Sequence, residues 1–244
     1  MEGSLGKNAA LCENIGHTCN AVGEYDDAER YFRDALERGR TQRRGSSPEE
    51  IAAHNEGGVL LGLAGVQDRR GAYQEALPTA QRAYELYRSM DQQRGWDSSL
   101  TAKAVMQMSK LQMKLGRLAE AEEGAREAVR IFEATAGDDS PLVAGALQRL
   151  GAIHVLQGRL PEAREVLHRA YVLEAAKDAF DLVEIMEIHN KLVDTHLSAQ
   201  AFDRTAFHRY FDVASQVVAR VRNELPQDGN AGAYYKTAGE LYVI

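Results

Sequence analysis

The chain lacks most of what would mark it for chemistry. No His-Glu-x-x-His, Cys-x-x-Cys, Gly-x-x-x-x-Gly-Lys-Ser/Thr or Gly-x-Ser-x-Gly occurs in its 244 residues. Those absences remove the usual spacings for a zinc hydrolase, a metal knuckle, a nucleotide loop and a serine nucleophile. Cysteine is scarce, with only Cys12 and Cys19 present. Seven residues apart on one helix, their Cα atoms would lie about 10 Å apart, beyond the roughly 7 Å reach of a disulfide. Nothing therefore points to an oxidising compartment. The single tryptophan, Trp96, is too few for a groove that stacks bases. No apolar run approaches the ~20 residues of a membrane span. Met1 to Leu11 lacks the basic start and apolar stretch of a secretory signal. The expectation is an intracellular, cytoplasmic, soluble protein with no cofactor, no metal and no membrane contact.

Charge excludes a further class. Lys and Arg number 29 against 36 Asp and Glu, a formal net charge of -7, which argues against nucleic acid as the main ligand. Among the seven histidines, His189 and His196 stand seven apart. That spacing suits packing on one helix face better than metal ligation.

What the chain does have is repetition. Gly23-Glu24-Tyr25-Asp26-Asp27-Ala28 returns as Gly71-Ala72-Tyr73-Gln74-Glu75-Ala76, Gly116-Arg117-Leu118-Ala119-Glu120-Ala121 and Gly158-Arg159-Leu160-Pro161-Glu162-Ala163. A worn fifth copy runs Gln200-Ala201-Phe202-Asp203-Arg204-Thr205. The marks are spaced 48, 45, 42 and 42 residues apart. A recurrence of this length means stacked helical units, whose working surface is a groove and not a pocket.

Each unit places one helix before the glycine and one after it. In the fourth, Ser140 is a good N-cap and Pro141 fits the first helical position. Leu142, Val143, Ala146, Leu147, Leu150, Ile153 and Leu156 follow at helical spacing, and Gly158 closes the helix. Ala163, Val166, Leu167, Ala170 and Leu173 line one face of the next helix. Small residues recur where helices must touch: Gly16, Ala64, Ser109 and Gly151 in the first helices, Ala28, Ala76, Ala121 and Ala163, then Ala35, Ala83, Ala128 and Ala170 in the second. The expected repeats are about 5–40, 48–90, 97–136, 140–177 and 181–223, with a terminal helix over 231–244, all in one domain, 1–244. Val193, Thr205 and Asp212 break the small-residue pattern in the fifth.

These residues resemble the tetratricopeptide repeat family, which places a Leu-small pair in its first helix, a Gly-x-Tyr turn, and spaced alanines in its second. Ile15-Gly16, Leu63-Ala64, Met108-Ser109 and Leu150-Gly151 match the first element. The period exceeds the family's usual 34 by about two helical turns, which resembles the kinesin-light-chain-like variety. Asp139-Ser140-Pro141-Leu142-Val143-Ala144 is similar to that variety's opening phrase, with Ser in place of His. The resemblance implies an all-α, right-handed α-solenoid of antiparallel helix pairs, about five repeats plus a terminal helix. It also implies a concave wall made by the first helices, protein binding, and no intrinsic chemistry.

By that resemblance one stripe of each first helix faces the groove. Lys103, Gln107, Lys110 and Lys114 form one line at spacings of 4, 3 and 4. Met106 and Met113 would lie beside it, away from the core set Ala104, Val105, Met108, Leu111 and Leu115. Ammonium groups and adaptable thioethers suit an acidic segment with apolar anchors; a solvated lysine face is the plainer reading. Arg149, Ala152 and Val155 would extend this wall in the fourth repeat. Asn190, Lys191 and Asp194 would do so in the fifth, and Asn14, His17 and Asn20 in the first. In this family an Asn on the groove side often grips a peptide backbone, and Asn14 matches that place. Gly58, Gly62 and Gly65 share a helical line with Gly57 adjoining. They imply close approach, either by a partner or by a neighbouring helix. The loop from Arg38 to Ser46 carries Arg38, Arg40, Arg43 and Arg44 and reads either as a phosphate or acidic-face binder or as a solvated linker.

The expected function is a non-catalytic adaptor or scaffold that binds a partner's acidic, partly apolar segment in the groove. The alternative is a structural subunit of a larger cytoskeletal, ciliary or motor-linked assembly that uses its convex face and ends. The apolar finish Leu241-Tyr242-Val243-Ile244 lacks a cap's polar outer face, which makes end-to-end self-association or a longer array a further expectation.

Overall fold

A computed structural model describes residues 9–42 and 49–176, together with Ile188, Lys191, Leu192 and Thr195; side chains within 40–54 are not described. Among the described residues eight helices follow one another: α1 Ala9–Val22, α2 Tyr25–Gln42, α3 Glu49–Arg69, α4 Tyr73–Arg94, α5 Ser99–Lys114, α6 Leu118–Ala136, α7 Pro141–Leu156 and α8 Leu160–Ala175. No strand occurs among the described residues. The fifth repeat, the terminal helix and most of the arginine-rich loop lie outside the described residues.

One turn geometry, used four times, explains why each unit folds back on itself. Gly23, Gly71, Gly116 and Gly158 all take positive φ, between 74° and 86°, which only glycine adopts without a Cβ penalty. The next residue then donates its N–H to a carbonyl five back: Glu24 to Cys19, Ala72 to Gln67, Arg117 to Gln112 and Arg159 to His154, each at 2.9 Å. The following helix starts at once, so the two run antiparallel. The reverse connections into α5 and α7 rely on side-chain caps. Ser140 accepts from the Leu142 N–H at 3.2 Å. Ser98 accepts from Thr101 N–H, while buried Asp91 on α4 takes the Ser98 N–H at 2.8 Å and the Thr101 hydroxyl at 2.5 Å.

The alanine pattern becomes packing. Ala28, Ala76, Ala121 and Ala163 are fully buried, as are Ala35, Ala83, Ala128 and Ala170 or nearly so. Across from them a Cβ on Gly151 would stand 2.4 Å from Leu167 Cγ, and one on Gly16 would stand 3.2 Å from the Phe32 ring. Ser109 fills the same place by donating its hydroxyl to the Ala121 carbonyl at 2.7 Å. Phe32, Tyr87, Leu111, Ile131, Ile153, Leu167 and Tyr171 are buried between pairs. Each such side chain stabilises the stack by about 1.5–3 kcal/mol. Burial of Tyr87, with a smaller push from Glu13, raises its hydroxyl pKa to about 12.

Successive pairs also touch through their first helices, α1 with α3, α3 with α5 and α5 with α7. A curved stack brings helices on its inside closest together, so these four form the concave wall.

Candidate functional site

The concave wall is unevenly charged. Its second half, α5 and α7, carries Lys103, Lys110, Lys114 and Arg149 and no carboxylate. Its first half carries Glu13 on α1 and Glu56 and Asp68 on α3. The outer helix α6 is acidic, with Glu120, Glu122, Glu123, Glu127 and Glu133 against Arg126 and Arg130. Four of the 29 lysines and arginines of a chain of net charge -7 thus stand on a stretch of the inner helices that holds no carboxylate of its own.

The lysine line is not uniformly available. Lys110 Nζ lies 2.5 Å from one Asp68 oxygen and Lys114 Nζ lies 2.6 Å from the other. The Asp68 side chain is 2% exposed and both lysines are 32% exposed, so the ammoniums roof the carboxylate. Burial alone would raise the Asp68 pKa. The hydrogen bonds from Lys110 and Lys114 outweigh it and hold the carboxyl below its ordinary value. Lys114 also stands 4.8 Å from the Tyr73 ring centroid, a cation–π contact. Lys103, two turns earlier on α5, is exposed and makes no ion pair among the described residues.

The methionines correct the expectation that they stand clear of the core. Met106 packs against the cluster holding Ala102, Val105, Leu147 and Leu167, and Met113 packs against Ala121, Ala125, Leu150 and Ile153. Both are only half-buried. They sit where α5 meets its neighbours, and the neighbouring helices draw their thioethers into the seam. Gln107 and Gln148 are half-buried beside them, each with an amide nitrogen that has no hydrogen-bond partner among the described residues. Arg149, Ala152 and Val155 are also half-buried, and Val155 leans on the same cluster as Met106.

At the other end of the wall, Asn14 is exposed and its carbonyl accepts the Thr18 hydroxyl at 2.9 Å. His17 is exposed as well, 3.9 Å from Glu13 and edge-on to Phe32 with centroids 4.9 Å apart. Lys191 is half-buried, and Asn190 lies outside the described residues. The wall therefore brings the α5 and α7 candidates together, with the α1 candidates two helices away across α3.

The glycines of α3 resolve into two kinds. A Cβ on Gly57 would stand 2.5 Å from the Tyr87 ring and one on Gly62 would stand 2.6 Å from Phe32. These two are needed by neighbouring helices. A Cβ on Gly58 would meet the Glu13 carboxylate at 3.4 Å, an ordinary contact, and Gly65 faces open space.

Two acidic residues escaped the sequence reading. Asp68 is one, and its signal was its place three residues before the turn glycine, one turn from the lysine register of the next unit. Glu122 is the other. On α6 it accepts from Gln157 at 2.9 Å, from Arg126 at 2.6 Å, from Arg159 at 2.9 Å and from His154 at 3.3 Å. The Gln157 hydrogen bond leads the effects that hold its carboxyl far below the usual range, against a desolvation cost. It ties the third unit to the fourth and faces the turn, not the groove. Among the described residues, no cluster of three or more metal-ligating side chains forms and no helix is long and apolar enough to cross a membrane.

Comparison with known proteins agrees with this architecture. A family model described as tetratricopeptide repeat matches residues 8–89 and 100–171. BtubC (BKLC) from P. vanneervenii has a similar structure, with TM-score 0.71 at 19% identity over 91% of this chain and 84% of that one. The apo form of RapI superposes with TM-score 0.65 at 15% identity, covering 99% of this chain but 65% of RapI. TPR-like repeats of a Podosopora anserina protein described as a kinesin light chain give TM-score 0.63 at 14% identity, over 93% and 100%. Likeness at such identities speaks for the fold alone. No curated protein resembles the chain closely enough in sequence to count as a relative.

Proposed function

The chain belongs to the tetratricopeptide repeat family, whose members serve as protein-interaction scaffolds, and on that premise we propose that it is a non-catalytic adaptor whose concave wall holds an acidic, partly apolar segment of a partner protein. One observation carries this reading. The α5–α7 stretch of the wall bears four cations and no carboxylate in a chain of net charge -7, and such complementarity governs partner choice and encounter rate. The half-buried Met106, Met113, Ala152 and Val155 offer the apolar floor between those charges. Arg149, Lys191 and Asn190 would continue this surface, and Asn14 and His17 would meet a segment long enough to cross α3. Nucleic acid, membranes and cofactors have no part in this reading.

A short fluorescein-labelled peptide of alternating glutamate and leucine tests it. The native chain should bind this peptide and ignore a lysine–leucine counterpart. Lys103→Glu should weaken binding about tenfold, since reversing one exposed charge at close range is worth about 1.4 kcal/mol at an intermediate effective dielectric. Equal binding of both peptides, or an unaffected variant, would refute the charge reading.

A further inference from the structure

The resemblance of two lysines around one carboxylate to a filled ligand site has a consequence for the wall's selectivity. Lys110 and Lys114 converge on Asp68 from one helical face, one ammonium on each oxygen. This is the arrangement an incoming aspartate or glutamate would seek, and the chain supplies it from the adjoining helix α3. We propose that Asp68 is a resident competitor, which occupies Lys110 and Lys114 and so leaves Lys103 as the cation of α5 that reads an acidic segment. The proposal rests on the acidic-segment reading above and deepens it.

Geometry gives the competitor its strength. Asp68 is enclosed beneath the lysines and reaches them at no cost in translational freedom, whereas a free segment must pay that cost on arrival. The Tyr73 ring holds Lys114 over the same spot. What remains there for a ligand is one net positive charge, shared by two half-buried ammoniums. Affinity at this stretch is thereby damped, and the acid-reading position moves towards the amino end of α5. An array tuned this way would release its segment readily.

The test compares the native chain with Asp68→Asn, which keeps an oxygen acceptor for the lysines and removes the charge. Titration of the fluorescein-labelled glutamate–leucine peptide should show binding about tenfold tighter in the variant, because one repulsive charge near the ligand is gone. That gain should shrink when salt rises from about 0.05 M to about 0.5 M, as screening requires. The double variant Asp68→Asn with Lys110→Gln, which restores one net positive charge there, should return to within about threefold of the native affinity. Binding by native and Asp68→Asn chains with equal affinity overturns the competitor role and leaves the groove reading standing. No binding by either chain removes both. Asp68→Ser serves as a second neutral variant, and if neither neutral variant folds, Asp68 is a stability residue and the proposal fails.

Discussion

Helices α3 and α5 lie side by side in the same wall and hold corresponding places in successive units, yet they are built from opposite materials. α3 carries Gly57, Gly58, Gly62 and Gly65, while α5 carries Lys103, Lys110 and Lys114 with Met106, Met108 and Met113. α3 is thin because its neighbours are thick. Tyr87 and Phe32 need the room at Gly57 and Gly62. α5 buries the small residues Ala102, Ala104 and Ser109 on its core face and spends most of its outer face on long side chains. The difference teaches that one wall position can serve packing in one unit and recognition in the next. Asp68 is where the two programmes meet, since α3 contributes the carboxylate that α5 needs.

The sharpest way to break the comparison is to thicken α3. Gly57→Val and Gly62→Val should each lower unfolding free energy in urea by about 2–3 kcal/mol, since the added Cβ would overlap an aromatic ring. Either variant retaining native stability would mean that the glycines are not there for Tyr87 and Phe32. Next in size is the Lys103→Glu loss in peptide affinity, which should come without a change in melting temperature because the residue is exposed. Gly65→Ala should move the other way and stabilise the chain by about 0.5–1 kcal/mol, because nothing stands within 4 Å of its added Cβ. A destabilised Gly65→Ala would place that glycine with Gly57 and Gly62. The finest test is pH. Asp68 has a depressed folded-state pKa, so its contribution should be complete above the unfolded carboxyl value of about 4 and fade as acid carries the pH down through the folded value. The stability gap between native chain and Asp68→Asn should therefore close on acidification, while a gap constant with pH would deny the ion pairs their role.

Much of the architecture was legible because the signals were local and repeated. Gly23, Gly71, Gly116 and Gly158 end helices by a conformation that glycine alone favours, and Ser140-Pro141 starts one by chemistry contained in two residues. The spaced alanines read equally well, since an alanine that recurs at a fixed offset has few reasons other than close contact. The wall was harder. A helical line shows which side chains share a face of one helix and says nothing of what the next helix sets opposite. That is why Lys110 and Lys114 looked as available as Lys103, and why Met106 and Met113 looked clear of a core into which they partly sink. The four α3 glycines left two readings open for the same reason. Tyr87 and Phe32 decide it for two of them.

The placing of contacts between consecutive pairs has a mechanical consequence. Links such as Asp68 to Lys110 and Lys114, or Glu122 to Arg159, join one unit only to the next. A pull on the two ends is then carried in series, with every junction bearing the whole load and the weakest yielding first. The clasp at Asp68 joins two inner helices, so straightening the stack would pull on it, and it would resist uncoiling between the second and third units.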